Sequence, residues 1–567
     1  MQVIRRRGTA LLCLCGTVLF AGQARGFDTN PSKDAVAAKH GLVVAVSPLA
    51  ADVGLQILKD GGNAVDAAVA TAFAEAVTWP EAGNIGGGGF MVIYPSQGEG
   101  APMVVDYRET APAAATPEML ARRDKFFAYK TVGVPGSVAG LALAHQKYGK
   151  LRWKHILASA VKLAKQGFVV DAALARSLNG AIRPGGPETE LRRVYGKNNG
   201  KDQWQAGDKL TLPDLAWSLE QISEKGPYAF YKGEVAKKLI AEIQVGGGLI
   251  IKQDLEDYQA QFRKPIEIAY RGFKVYAPPP PSSGGICLAE MLNILETFDL
   301  KKHERFAPET LHLMVEAMRR GYRDRARYLG DSDFVKIPAE LTTPEYARGL
   351  AAGIARDKAT ASAELAKDIP LAAEGPDTTH FSVIDKDGMA VSNTYTLENS
   401  FGSKIVVRGA GFLLNNEMTD FNTKPGTTDR KGNIGTDANL IAPRKRMLSS
   451  QCPVIVARNG KVVLVTGSPG GRTIINTVLC VLVNVLDYNM NIRDAVDAPR
   501  LHHQWFPDVV QSEDLAKYSG TIAGLEKLGH QVKTIRQGDA HSIWVDPKTG
   551  IYYGAQDKRI GGKAAGY

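Results

Sequence analysis

Residues 381–385 and 389–396 alternate polar and apolar side chains on either side of the turn sequence Asp385-Lys386-Asp387-Gly388. Alternation has the period of a strand, and an Asp-Gly turn between two such runs predicts a β-hairpin. Thr378 and Thr379 open its first strand, with Asp377 before them and His380 after. β-branched residues commonly start strands, so the threonine pair alone carries no chemistry. Whatever assigns it a role has to come from other parts of the chain.

The same half holds a second hairpin signal in "RMLSSQCPVIVARNGKVVLVTGSPGGR", with Asn459-Gly460 at its turn. A strand at 462–466 runs into the tight turn 467–471. From Thr473, apolar Ile474, Ile475, Val478, Leu479, Leu482, Val485 and Leu486 have helical spacing. A strand, a tight turn and a helix start converge successive backbone N–H groups on one point, which suits an oxyanion. The sequence fits neither a phosphate-binding loop nor a GxSxG nucleophile elbow. "GNIGGGGF", at 83–90, does not match GxGxxG either and reads as close backbone packing before a strand.

The first half reads as helices with glycine-rich joints. A helix over 49–59 is stopped by Gly61-Gly62. Asn63 caps the next, over 64–77, with Asp66 at its third position. "APPPPSSGG", at 277–285, predicts a rigid, exposed crossing before a helix from about Ile286. Residues 305–328 form another helix, rich in arginine on one side, and 350–376 read as a mobile segment before Thr378. Residues 425–437 lie in a polar, glycine-rich loop too long for a mere connection, and so are a candidate lid.

The 567 residues allow three or four ordinary domains or one large layered unit. Arg5, Arg6 and Arg7 precede a short apolar run and the small residues Ala21, Gly22, Ala24 and Gly26, the pattern of a secretory signal peptide over 1–26. The run is too short for a comfortable membrane span. That segment holds four arginines and no acids, so the net charge falls from +10 to +6 without it. No basic cluster is interleaved with aromatics, which argues against nucleic acid. Cys287, Cys452 and Cys480 remain after Cys13 and Cys15, with no CxxC and no metal-ligand spacing, and read as buried free thiols.

In register, "GGNAVDAAVA", "GGGGFMVIY", "DYRETAP", "VGVPGSVAGL", "PPPPSSGG", "DTTHFSVID", "TLENSFGS", "LLNNEMTDF", "KRMLSS", "VTGSPGGR", "APRLHHQW" and the final "AAGY" resemble the γ-glutamyltranspeptidase family of N-terminal nucleophile hydrolases. The resemblance spans residue 40 to the end. It implies an α+β fold, the four-layer αββα sandwich of that superfamily. It also implies a precursor that cuts itself at the Asp377–Thr378 bond, giving a large subunit (27–377) and a small catalytic subunit (378–567) that form one unit.

The resemblance further implies Thr378 as nucleophile, Thr396 as support for its oxygen, and Gly470 and Gly471 as the oxyanion hole. Arg108, Ser449 and Ser450 match residues that hold a glutamyl α-carboxylate. Glu398, Glu417 and Asp420 match residues that hold its α-ammonium, with Glu398 standing where many relatives have asparagine. His380, His502 and His503 read as structural. The implied activity is γ-glutamyl transfer from glutathione or a related amide to water, an amino acid or a peptide, with no cofactor or metal, in an exported, periplasmic or secreted protein. The alternatives are a cephalosporin (glutaryl) acylase on the same scaffold and a non-catalytic exported binding protein.

Overall fold

The computed structural model describes residues 34–125, 127–365 and 378–567. Two seven-stranded sheets face each other. One runs Lys563–Gly566, Gly41–Ala45, Thr379–Asp385, Ala390–Thr396, Gly88–Tyr94, Met103–Asp106, Gln261–Arg263. The other runs Val36–Ala38, Tyr552–Ala555, Ser542–Val545, Lys461–Thr466, Val454–Arg458, Phe273–Ala277, Ile266–Tyr270. Every neighbouring pair in both is antiparallel.

The strand period separates the layers. Leu42, Val44, Phe90, Val92, Ile455 and Val465 meet between the sheets. Their neighbours Val43, Ala45, Met91 and Ile93 point the other way, onto the helices Pro48–Lys59 and Ala64–Thr78. Val454, Val456 and Leu464 likewise pack on Gly284–Glu296, Pro308–Tyr328 and Thr473–Leu486. Three apolar seams separate four layers, the expected αββα sandwich.

Local chemistry fixes the joints much as the sequence predicts. The Asn63 side chain accepts from the N–H groups of Val65 and Asp66, and the Asp66 carboxylate accepts from Asn63 N–H, a complete capping box. Asn459 and Gly460 both have positive φ, 52° and 75°, as a two-residue hairpin of this kind requires. Cys287, Cys452 and Cys480 are free and buried.

Two expectations need correction. The PPPPSSGG crossing is buried rather than exposed. The reason is hydrogen bonding: the Ser282 and Ser283 hydroxyls donate to the carbonyls of Gln451 and Ser449, both at 2.6 Å, and Ser449 N–H reaches Pro281 O at 2.9 Å. The segment 350–376 is ordered in its first part, where Pro344–Ala352 ends and Ser362–Leu365 forms a turn of helix. Ser362 is tied by Asp508 to its N–H at 2.7 Å and by Trp505 Nε1–H to its carbonyl at 2.8 Å. The remainder, 366–376, the Asp377 side of the expected cleavage bond and the 1–26 segment lie outside the described residues.

Candidate active site

The hairpin brings Thr378 and Thr396 to one end of their sheet. Thr379 pairs with Tyr395, so the next register position sets Thr378 beside Thr396. Asn84 holds this end in place, donating to Thr396 O at 3.0 Å and accepting from Gly87 N–H at 2.9 Å. A Cβ on Gly87 would stand 2.0 Å from Thr396 O, so the glycine run is the close packing read from the sequence.

The facing sheet supplies the glycine turn. Strand Lys461–Thr466 ends, residues 467–471 reverse direction, and the helix Thr473–Leu486 begins. Gly470 and Gly471 have φ of 126° and 55°, conformations that side chains with a Cβ rarely adopt. The turn is braced by Asp539 N–H on Ser468 Oγ at 3.0 Å. His380 lies under Gly467 with both ring nitrogens engaged, by Thr394 Oγ1 at 2.9 Å and Ser382 Oγ at 3.1 Å. Burial pushes its pKa far down, so it stays neutral.

Thr378, half-buried, lines a narrow cavity of about 20 Å³ with Arg108, Thr396, Glu398, Asp420, Ser449, Ser450 and Gly471. Gln451, Arg472 and Ile474 complete the wall. Gly470 lies one residue away, on the wall of a second cavity that Thr378 also lines. Thr396 Oγ1 accepts from Glu398 N–H at 2.9 Å. Glu398 itself has φ 79°, a strained value for a non-glycine residue, and its carboxylate accepts from Asn416 at 2.6 Å.

Arg108 is buried and closes one end of the cavity. Its guanidinium pairs with Glu417 at 2.6 Å and with Asp420, and donates to the carbonyls of Met447 and Leu448 at 3.3 Å. Burial disfavours its charge, but its acidic neighbours, Glu417 and Asp420 foremost, outweigh burial and keep it charged. Glu417 stands apart from the other nine predicted site residues, because it lines neither cavity and sits behind Arg108, fully buried. Burial raises its pKa well above the usual carboxylate range, partly countered by Arg108.

Framework residues escaped the sequence reading. Arg325 donates to Ser283 Oγ at 2.9 Å and to Ser450 Oγ at 3.0 Å, tying the serine pair to the crossing. Arg472 donates to Gly432 O at 3.0 Å, so the 425–437 loop meets the cavity through this side chain and puts none of its own residues on the wall. The arginine-rich helix face and the basic residue after the glycine turn were the available signals. His312, Glu316 and His530 form a buried group of metal-ligating types, but the two rings hydrogen-bond each other at 2.8 Å, and Arg320 takes Glu316 at 2.5 Å.

The family model for gamma-glutamyltranspeptidase matches residues 50–567. The chain belongs to the γ-glutamyltranspeptidase family. It is 45% identical over 542 residues to the glutathione hydrolase proenzyme of Escherichia coli, covering 94% of this chain and 93% of that one. Among solved structures, a cephalosporin acylase from Bacillus halodurans superposes with a TM-score of 0.82 at 26% identity, over 97% of this chain and 99% of that one. A γ-glutamyltranspeptidase chain from Pseudomonas nitroreducens is 44% identical, with a TM-score of 0.50, over 55% of this chain and 94% of that one. Its named relatives are enzymes of the N-terminal nucleophile type, and this chain is read as one of them.

Proposed function

We propose that the chain is a γ-glutamyltransferase and glutathione hydrolase that matures by cutting itself before Thr378. The observation that carries this is one cavity where the Thr378 hydroxyl meets a buried arginine, two serines, two acids and a glycine turn. A threonine hydroxyl needs a base. Inside a chain Thr378 has only an amide nitrogen. In the precursor its Oγ attacks the carbonyl of residue 377, and water opens the resulting ester. This frees an α-amine with a pKa of about 7.7–8.0, which then serves as the base. The proenzyme relatives support processing into two subunits, which we place at 27–377 and 378–567. Residues 1–26 direct export to the periplasm or medium, and no described helix is long and apolar enough to cross a membrane.

In the mature enzyme Thr378 Oγ attacks the donor's γ-carbonyl carbon. The oxygen that gains charge is met by the N–H groups of Gly470 and Gly471. Thr396 donates its O–H to the nucleophile's oxygen. The amide C–N bond breaks, the leaving amine takes the proton, and an ester on Thr378 remains for water or an amine to resolve. The donor's charged end exchanges partners in the pocket. Its α-carboxylate takes the place of Asp420 on Arg108, with Ser449 and Ser450 adding hydroxyls. Its α-ammonium takes the place of Arg108 on Asp420, with Glu398 beside it. Glu417 stays behind Arg108 and keeps its guanidinium in place. Arginine and hydroxyls suit a carboxylate, and carboxylates suit an ammonium.

The acylase neighbour makes glutaryl transfer the second reading. A glutaryl group has the chain and the carboxylate but no ammonium, so it would leave Asp420 and Glu398 without a counter-charge. Losing one partner of a buried ion pair costs about 3–5 kcal/mol, and Asp420 is partly exposed, so the lower end applies. We expect kcat/KM for γ-glutamyl-p-nitroanilide to exceed that for glutaryl-p-nitroanilide by about a hundred-fold or more. Asp420→Ala should damage the first far more than the second. Equal kcat/KM values in the unmodified enzyme would move the assignment to the acylase.

A further inference from the structure

In a trans peptide the C=O of one residue and the N–H of the next lie antiparallel in one plane, so whatever holds the carbonyl aims the N–H. The glycine turn contains two such units, both trans. The Pro469–Gly470 unit carries the Gly470 N–H, and the Gly470–Gly471 unit carries the Gly471 N–H. Glycine accepts φ of either sign, so the backbone alone leaves both units free to turn over.

Each carbonyl is held by a hydroxyl. Ser468 Oγ donates to Pro469 O at 2.7 Å. Thr473 Oγ1 donates to Gly470 O at 2.8 Å, and Thr473 N–H reaches the same oxygen at 3.1 Å. The Ser468 hydroxyl is fully buried and accepts from Asp539 N–H at 3.0 Å, which leaves its own proton for Pro469 O. Asp539 is anchored in turn. Its carboxylate accepts from Ile560 N–H at 3.2 Å and lies 2.9 Å from His541 Nε2. His541 Nδ1 accepts from Asp557 N–H at 3.3 Å, so the ring proton sits on Nε2, the nitrogen facing Asp539. Gly538, with φ 69°, brings this loop against the turn: a Cβ there would stand 2.9 Å from Ser468 Oγ. Ser468, Thr473, Asp539 and His541 line neither cavity that Thr378 lines, so any effect they have on the chemistry passes through the turn.

We infer that Ser468 and Thr473 are the positioning residues of the oxyanion hole, Ser468 aiming the Gly470 N–H and Thr473 the Gly471 N–H, with the Asp539–His541 pair orienting Ser468. The inference rests on the reading of the two glycines as that hole. The oxygen that gains charge on the γ-carbonyl then meets donors already aimed, with no reorganisation at the moment of reaction.

The test is turnover of γ-glutamyl-p-nitroanilide by Ser468→Ala, Ser468→Cys, Thr473→Val and Thr473→Ser, expressed per mole of self-cleaved enzyme. Turnover by the unmodified enzyme reports the parent reading separately. The hole acts both when the Thr378 ester forms and when it breaks, so the loss should fall on kcat and leave KM within about two-fold. Ser468→Ala should lower kcat about ten- to a hundred-fold, short of the loss from removing a donor outright. Ser468→Cys keeps a weak S–H donor and should fall between the parent and Ser468→Ala, and it carries the comparison if the alanine chain does not cut itself. Thr473→Val should lower kcat about three- to ten-fold, because its N–H still holds Gly470 O, and Thr473→Ser should recover most of that loss. A γ-boronate analogue of the donor forms a tetrahedral adduct on Thr378 with an oxygen in the hole. Its affinity should fall in each variant by the same factor as kcat. A mature Ser468 variant with the parent's kcat would overturn the proposal. So would a loss of kcat with boronate affinity unchanged.

Discussion

At Arg108 a buried guanidinium is surrounded by Glu417, Asp420 and Glu109. The family motifs made Arg108, Glu417 and Asp420 legible as residues. Their arrangement was not, because it depends on local geometry. Glu417–Asp420 is one turn of 3-10 helix, in which positions three apart fall on the same side, so both acids reach the same guanidinium. Glu109 follows Arg108 directly and is fully buried, with neither carboxyl oxygen hydrogen-bonded. Burial pushes its pKa up to about 8 from an ordinary value near 4.5, against the pull of Arg108. A carboxyl raised in the folded state contributes stability below its unfolded value, and that contribution is lost as pH rises toward 8. Glutamine at this position does not titrate. The urea midpoint of Glu109→Gln, relative to the parent, should therefore shift in favour of the variant between pH 5 and pH 8. A difference that stays constant over that range would mean Glu109 does not keep its proton in the fold. Comparing the two proteins across pH also cancels the fixed cost of burying the new amide.

Among the elements, the hairpins, the capped helix and the glycine turn were legible because each is specified by neighbours in sequence. The burial of the PPPPSSGG crossing was not, since its partners lie about 170 residues away at 449–451. Prolines lack N–H donors and read as exposed. Here the two serines that follow them supply the hydrogen bonds that make burial tolerable. Ser283 is central: its hydroxyl donates to Ser449 O and accepts from Arg325. Ser283→Ala should cost about 1–3 kcal/mol of stability, read from urea unfolding. Because the crossing holds the serine pair, it should also raise KM for γ-glutamyl-p-nitroanilide several-fold with a smaller change in kcat. A stability loss with KM unchanged would separate the crossing from substrate binding.

Across the whole molecule, the sheet order explains why one cut need not make two domains. Strand Thr379–Asp385 lies between Gly41–Ala45 and Ala390–Thr396, and Lys563–Gly566 closes that edge on Gly41–Ala45. Strands from before and after residue 378 are interleaved in one sheet, and in the other Phe273–Ala277 pairs with Val454–Arg458. Length alone left several domains open, because sequence proximity carries no information about such interleaving. The family resemblance supplied it, and the three apolar seams give its physical basis. The central claim is that a single hydroxyl performs both the self-cleavage and the later chemistry. Intact mass measurement of the purified parent and of Thr378→Ala tests this most directly. The parent should give two chains, the smaller beginning at Thr378, and the variant a single uncut chain. A parent that remains one chain, or a Thr378→Ala protein split at the same bond, would contradict it.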